Sequence, residues 1–185
     1  MDKEIWKDIP GYEGFYRVSN MGRIRSLNRI IDKFGKGKYF IDGRILSPGI
    51  SNKGYFYVNL HKKGKYNRQN IHILVLQSFD RMNKKGEVCR HLDNNQQNNF
   101  IENLCWGTRS ENERDKIKFG TSNRGERQGL SKLNEMQVRI IKRLLNFGTM
   151  SCNEISKFFN VNWGTIYSIK AGKNWGWLTE KMETI

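Results

Sequence analysis

Short segments of alternating apolar and polar residues dominate the first 70 positions of the chain. Apolar and basic side chains alternate over residues 15–18 and 23–27, and the stretch Ser-Asn-Met-Gly at 19–22 joins the two runs. This alternation predicts two strands, and the Asn-x-Gly sequence between them predicts a hairpin turn. Residues 33–65 hold six glycines between further short apolar runs. We therefore expect a glycine-punctuated antiparallel meander, with lysines such as Lys36 and Lys53 at its turns.

Two later segments predict a buried helix followed by a strand. Residues 71–79 are strongly apolar, and Ile71, Leu74, Val75 and Phe79 recur at helical spacing. Residues 87–92 lie between Lys-Lys-Gly and Asp-Asn-Asn, which is typical of a strand between turns. The strand would present His91 at its end.

The pattern then changes to a polar loop and a capped helix. Residues 93–99 are so rich in Asn and Gln that we expect a solvated turn, after which residues 102–106 return to order with Leu104 and Trp106. Thr108 or Ser110 can cap a helix that runs toward Phe119 and stops at Gly120. Strand, loop, strand and helix is the predicted order.

The last 55 residues predict three short helices. Apolar residues repeat at helical spacing over 133–147 with basic residues opposite them, and Gly148 follows. A capping box at 151–154 opens a second helix, and the stretch Asn-Val-Asn-Trp-Gly at 160–164 turns into a third helix at 165–170. Three helices with a tight turn before the last are typical of a helix-turn-helix.

Charge narrows the class of partner. The 185 residues hold 33 Lys and Arg against 18 Asp and Glu, giving a formal charge of +15 and a pI of about 9.9. The basic residues are spread through all segments among Trp, Tyr and Asn, which favours double-stranded DNA or another nucleic acid as partner. The alternative is a basic but merely solvated surface. Membrane binding is not indicated.

Two further features bear on the cellular setting. No apolar run approaches the roughly 18 residues of a transmembrane helix, and the N-terminus lacks the layout of a secretory signal, so we expect a cytoplasmic protein. The three cysteines are odd in number and form no CxxC pair. Neither a disulfide framework nor a zinc knuckle is supported, and buried thiols are expected.

The stretch from 89 to 112 resembles the HNH endonuclease family, in particular the phage- and intron-encoded homing endonucleases. The resemblance rests on the words His-Leu-Asp at 91–93, Asn-Asn at 98–99, Glu-Asn-Leu at 102–104, Trp-Gly-Thr at 106–108 and Glu-Asn at 111–112. Residues 6–20 also resemble the DNA-binding module that often accompanies these nucleases. Their host would be a bacterial or phage-infected cell.

The resemblance implies an α+β fold of small modules around a ββα-metal (His-Me finger) core. We expect an N-terminal antiparallel β DNA-binding module at 1–68, the nuclease core at 69–120, an extended linker at 121–130 and a helix-turn-helix at 131–185. It also implies site roles. His91 would be the general base, Asn103 would steady the loop that orients it, and Asn112 would give its amide oxygen to one divalent metal, Mg²⁺ with Mn²⁺ as substitute.

One residue departs from the family pattern. The residue before the base is commonly a metal ligand in this family, but here it is Arg90, which has no lone pair to donate. Three remedies stay open: Asp93 on the same strand face as His91; Glu111 or Asp115 from the helix; or water and DNA phosphate as ligands while Arg90 clamps the phosphate, the remedy we favour. A degenerate protein that only binds DNA is the alternative. His72 is ambiguous between a core residue and a site residue.

Two sets of residues are expected to contact DNA. In the N-terminal hairpin they are Arg17, Arg23 and Arg25, although the hairpin could instead only pad the core. In the last helix and its flanks they are Asn162, Trp163, Thr165, Ser168, Lys170 and Lys173. A helical bundle for dimerisation is the alternative there. Because the two modules are unlike, we expect a monomer that nicks one strand; dimerisation through Trp163, Trp175 and Trp177 is the competing expectation.

Overall fold

The computed structural model describes residues 3–33 and 37–179. The chain forms two compact units, Met1–Thr121 and Ser122–Ile185. Gly35 and Lys36, predicted to lie at a turn of the meander, fall outside the described residues.

The N-terminal hairpin is confirmed and gains a third strand. Strands β1 (Trp6–Asp8), β2 (Tyr16–Ser19) and β3 (Ile24–Ser26) form an antiparallel sheet in that order. Val18 and Ile24 lie opposite each other and are almost fully buried. Gly22, with a φ of +78°, takes the left-handed conformation in the turn between them. The period-two pattern thus faces one side of the sheet to the core.

The meander is also present, with strands that the apolar runs did not indicate. Strand β4 (Arg29–Lys33) pairs with β5 (Gly37–Ile41), and β6 (Gly49–Ile50), β7 (Phe56–Lys62) and β8 (Lys65–Asn70) form a second antiparallel sheet. Strand β8 has the sequence KYNRQN and is exposed along nearly its whole length. It is an edge strand, and therefore carries no alternating apolar residues that could have revealed it.

The segment after the meander follows the predicted order closely. Helix α1 (Ile71–Phe79) has the predicted bounds. Strands β9 (Glu87–His91) and β10 (Leu104–Thr108) form an antiparallel pair that leads into helix α2 (Arg109–Lys118). Thr108 caps α2 through a capping box with Glu111, and Gly120 follows with a φ of +68°. This is a ββα unit.

One hydrophobic core joins the first sheet, β7, α1 and the strand pair of the ββα unit. Its buried residues come from the first sheet, from β7, from α1 and from β10, and they include Val18, Leu60, Val75 and Leu104. The expected boundary between residues 68 and 69 therefore does not separate two units. The N-terminal strands and the ββα unit share one core, in which α1 lies between them.

The second unit contains the three predicted helices. Helices α3 (Glu135–Phe147), α4 (Cys152–Phe158) and α5 (Trp163–Lys170) pack around Val138, Ile141, Ile155 and Ile166. Helices α3 and α4 both begin with capping boxes, and α3 ends at Gly148, whose φ is +67°. Helix α5 begins two residues earlier than predicted.

The expectation of an extended linker at 121–130 is wrong. Residues 122–130 belong to the second unit, and Gly125–Arg127 form a turn of 3-10 helix. Arg124 lies 4.0 Å above the ring of Trp177, and a side chain at Gly125 would collide with Trp175 and Trp177. The polar composition concealed this packing, since glycine contributes a close backbone approach and arginine contributes a ring contact.

The three cysteines were expected to be buried thiols. Cys89, Cys105 and Cys152 are free thiols as expected, although each is only partly buried. Burial raises the pKa of Cys89 to about 12, so this thiol is unreactive.

Among the described residues, no helix is both long enough and apolar enough to cross a bilayer.

Candidate active site

His91 lies at the end of β9, where the strand pair opens into the polar loop. It is opposite Leu104 in the register and only 8% exposed. Its Nε2 lies 3.3 Å from the side-chain oxygen of Asn99, which is also buried. Because an amide oxygen only accepts, this contact puts the proton on Nε2 and leaves Nδ1 free as a base. Burial lowers the pKa of His91 below its ordinary value, so the ring is neutral at pH 7.

Asn103 holds the loop that follows His91. Its Oδ1 accepts a hydrogen bond from the Asp93 backbone N–H at 2.9 Å, and its Nδ2 donates to Asp93 Oδ1 at 2.8 Å and to the Asn98 carbonyl at 2.9 Å. One buried amide thus spans both ends of a loop of about ten residues. The Asn- and Gln-rich sequence is not a loose turn, because its side chains bond its own backbone.

Asp93 does not share a strand face with His91, contrary to the prediction. Strand β9 ends at His91, so strand periodicity does not extend to Asp93. The Asp93 carboxylate accepts from the Asn95 backbone and Asn103 through Oδ1, and from the Asn98 side chain through Oδ2. A carboxylate has about four acceptor positions, so one on Oδ2 remains for a cation.

Arg90 is directed toward helix α2. Its Nε and one terminal nitrogen donate to the two oxygens of Asp115 at 2.7 and 3.1 Å, and Glu111 lies 3.8 Å away. The Arg90 and Asp115 side chains are 18% and 24% exposed, so solvent screens this pair only in part. The Arg90 hydrogen bond holds the pKa of Asp115 below its ordinary value. A side chain at Gly107 would collide with Arg90, so the glycine leaves space for it.

Helix α2 supplies the remaining candidate ligands. Asn112 is half-buried, and Asp115 lies three residues later on the same helical face. The Glu111 carboxylate accepts hydrogen bonds from the backbone N–H and the hydroxyl of Thr108, so its main role is to cap helix α2. Within residues 3–33 and 37–179, no three His, Cys, Asp or Glu side chains cluster as a metal site would require.

A second histidine lies directly behind the first. His72, in the first turn of α1, is 6% exposed, and its ring centroid is 5.2 Å from that of His91, with the planes 75° apart. Tyr55 contacts both rings, at 4.9 and 6.0 Å. Burial, with a smaller contribution from the charge of His91, lowers the pKa of His72 to about 3. His72 is therefore neutral.

The three N-terminal arginines share the outer face of the first sheet but have protein partners. Arg17 is paired with Asp8 at 2.8 Å, and Arg23 is paired with Glu4. Arg25 lies opposite Arg17 in the register and stacks 4.5 Å above the ring of Trp6. These contacts order the arginines into a row.

The predicted residues of the last helix have different surroundings. Trp163, Lys170 and Lys173 are exposed, whereas Thr165 and Ser168 are half-buried. Asn162 Oδ1 accepts from the Gly164 backbone, so this side chain caps α5. Trp163 stacks on exposed Tyr167 with centroids 5.2 Å apart, an aromatic pair that the sequence reasoning left out. Trp175 and Trp177 stack on each other, beside Gly125.

Sequence reasoning also missed two contacts of His91. Asn99 belonged to the Asn-Asn pair at 98–99 but received no role, and Tyr55, directly before β7, is far away in sequence. The only signal for Asn99 was a polar residue next to Phe100 and Ile101 in an otherwise solvated stretch. No local pattern could have revealed Tyr55, because a tertiary contact brings it to the site.

Comparisons with known proteins agree with this architecture. A model described as the NUMOD4 motif matches residues 4–61, and one described as HNH endonuclease matches residues 71–114. The chain is 33% identical over 136 residues to the DNA endonuclease I-HmuI of Bacillus phage SP01, covering 74% of this chain and 71% of that protein. It is 36% identical over 118 residues to the uncharacterized HNH endonuclease L247 of Acanthamoeba polyphaga mimivirus, covering 59% of this chain but 25% of that protein.

A solved structure matches as well. The structure described as DNA binding and cleavage by the HNH homing endonuclease I-HmuI aligns with a TM-score of 0.52 and 32% sequence identity. The alignment covers 77% of this chain and 68% of that one. The agreement of sequence and structure extends well beyond the short motifs around His91.

Proposed function

The chain belongs to the HNH family of homing endonucleases, and from this premise we propose that it cuts double-stranded DNA at a specific site in a reaction that needs a divalent metal, nicking one strand as a monomer. The observation that carries the proposal is His91, buried at the end of β9 with its Nε2 held by Asn99. That contact leaves Nδ1 to accept a proton from water. The water oxygen would then attack phosphorus, and the bond to the 3′ oxygen would break. That oxygen would take a proton from solvent, leaving 3′-hydroxyl and 5′-phosphate ends.

The loop after His91 would act through geometry. The three hydrogen bonds of Asn103 fix the backbone on both sides of the loop, so that Asn99 reaches His91 without further ordering when DNA binds. A base that is held before the substrate arrives contributes a large part of catalysis by positioning. Asn103 is therefore proposed as a positioning residue.

The residues fit an oxygen-ligated metal, for which Mg²⁺ is proposed and Mn²⁺ would substitute. Asn112 would offer its amide oxygen, and Asp93 has one acceptor position left on Oδ2. When bound, the metal would neutralise charge on the phosphate and on the departing oxygen. Asp115 competes with Asp93 for this role, since it lies on the Asn112 face of α2, but it is occupied by Arg90.

Arg90 would contribute a fixed positive charge beside the phosphate. Only two of its five N–H groups are used by Asp115, so the guanidinium can contact a DNA phosphate without losing its ion pair. DNA affinity would come from the arginine row of the first sheet and from α5. There, exposed Trp163, Lys170 and Lys173 would contact DNA directly, while Thr165 and Ser168 would do so from half-buried positions.

A plasmid-relaxation assay tests the proposal. Supercoiled plasmid that carries the target should be converted to the open circle with Mg²⁺ and remain supercoiled with chelator. His91→Ala should abolish nicking and leave the Kd for DNA unchanged, because the base acts in the transition state. His61→Ala is the matched control, since His61 lies in β7 and contacts Tyr66 instead. Nicking by His91→Ala within tenfold of wild type would refute the role of His91.

The second candidate is a DNA-binding regulator that has kept the nuclease fold without its activity. The ion pair between Arg90 and Asp115 favours it, because it occupies the carboxylate that lies three residues after Asn112 on the same face of α2. This candidate predicts tight, specific binding without nicking under any divalent metal. The same plasmid assay separates the two.

A further inference from the structure

The buried ring of His72 packs against the ring of His91. It lies in the first turn of α1 among the core residues Ile71, Leu74 and Val75. The edge-to-face contact with His91 and the shared contact with Tyr55 form a cluster of three rings, which come from α1, from β9 and from the residue before β7.

A histidine at position 72 lowers the stability of the fold. Its Nδ1 is buried and has no hydrogen-bond partner among residues 3–33 and 37–179. A buried nitrogen without a hydrogen-bond partner destabilises a fold. An aliphatic residue, like the neighbours of His72 on α1, would fill the same space without this cost in stability. Stability therefore does not account for an imidazole there.

We propose that His72 is a positioning residue for His91, whose ring plane it fixes by presenting its own ring as a flat wall. This inference rests on the proposed role of His91 as base. Among the described residues, the only side-chain hydrogen bond of His91 is the one that its Nε2 donates to Asn99 Oδ1, and a single bond of this kind leaves the ring free to tilt about it. Contact with His72 and Tyr55 removes that freedom and keeps Nδ1 directed at one point.

The charge state of His72 suits this role. Burial keeps its ring neutral, as the lowered pKa indicates. When His91 accepts a proton from water it becomes a cation, and a second cation 5.2 Å away would oppose that step. A neutral ring supplies rigidity without repulsion.

The test compares His72→Ala, His72→Phe and His61→Ala in single-turnover nicking, with the Kd for DNA measured in parallel. His72→Ala should slow nicking about a hundredfold, the loss expected when a reacting group is displaced by about 1 Å, while DNA binding stays constant. His72→Phe keeps a flat ring and should stay within about threefold of wild type on the same reasoning. A wild-type rate for His72→Ala would overturn the proposal. So would a His72→Phe variant as slow as His72→Ala, because the nitrogen would then do the chemistry.

A spectroscopic arm keeps this inference separate from the nuclease activity. The chain has three histidines, so a protein labelled at histidine gives three sets of imidazole NMR signals. His72→Ala and His72→Phe are each compared with His61→Ala, and His72→Val, which also lacks the ring, replaces His72→Ala if the alanine variant does not fold. Broadened or shifted His91 signals in His72→Ala, together with wild-type His91 signals in His72→Phe and His61→Ala, support positioning. Unchanged His91 signals in His72→Ala, or altered ones in His72→Phe, overturn it. If the wild type nicks no DNA, the proposed function fails, and the NMR result still decides the role of His72.

Discussion

Arg90 donates to Asp115 with its Nε 2.7 Å from the carboxylate, which ties the residue before His91 to the helix that carries Asn112. The pair lies between the strand hairpin and α2, in the space that Gly107 leaves open. It joins two of the three parts of the ββα unit. Two properties should follow from it, one in stability and one in metal binding.

Asp115→Asn should lower the free energy of unfolding at pH 7 by about 1 to 2 kcal/mol, because a partly buried charged hydrogen bond is lost. Arg90 lowers the pKa of Asp115, so the pair stabilises the fold above the ordinary carboxyl pKa, and this contribution is lost as pH falls through the lowered value. Urea denaturation at pH 7 and near pH 3 measures both. Wild type and variant should converge in acid. Glu113→Gln, on α2 but paired with Lys116, is the control; an equal loss there would show a general charge effect.

Asn103→Ala should slow nicking and lower stability by about 1 to 3 kcal/mol, since Asp93 and Asn98 lose their hydrogen bonds to the buried Asn103 amide. Asn103→Asp keeps the shape but places a carboxylate against two acceptors, and it should be at least as damaging at neutral pH. Thermal melting and single-turnover nicking test this. Asn95→Ala, which removes one exposed bond to the Gln97 backbone, should be mild. Equal effects of Asn95→Ala and Asn103→Ala would contradict the bracing role.

Asn112→Ala should raise the Mg²⁺ concentration needed for half-maximal nicking, because it deletes a ligand and leaves the base intact. A metal titration of the nicking rate at saturating DNA measures this. Asp93→Asn and Asp115→Asn in the same titration identify the carboxylate that assists Asn112. An Asn112→Ala curve that coincides with wild type would exclude Asn112 as a ligand.

Removal of residues 122–185 should leave a folded nuclease that binds DNA weakly and nicks with reduced specificity. Unit Met1–Thr121 has its own core and contains the whole ββα unit. Footprinting should show protection lost on one side of the cut. A protein truncated after residue 129 instead should be a poorer variant. It would keep Arg124 and Gly125 but remove Trp177 and Trp175, which they contact. A shortened chain with the full footprint would show that the last unit does not contact DNA.

The sequence predicted those parts of the fold in which each element carries its own local signal. The apolar spacing of α1, the capping residues Thr108 and Ser151 and the stop at Gly148 gave helix positions that the structure confirms. Strand β8 and the packing of Gly125 could not be predicted, because an edge strand buries no face and a glycine contact depends on distant tryptophans. Asp93 was misjudged because strand periodicity was extended beyond His91, where β9 ends.

The candidate site was also predicted only in part. His91, Asn103 and Asn112 were found through a motif and now have described surroundings, while their roles stay predictions. The three residues that contact His91, namely Asn99, His72 and Tyr55, come from three segments of the chain, and the partner of Arg90 lies 25 residues away. Such relationships are set by the tertiary fold, and no local pattern encodes them.

The central claim is that one base acts on one strand, and strand-specific end labelling of a single target duplex tests it most directly. With Mg²⁺ present, one labelled strand should be cut to 3′-hydroxyl and 5′-phosphate ends while the other stays whole. The rate should be first order in protein, and the complex should migrate as one monomer on DNA. Equal cutting of both strands with a rate that rises as the square of protein concentration would contradict the claim and indicate a dimer.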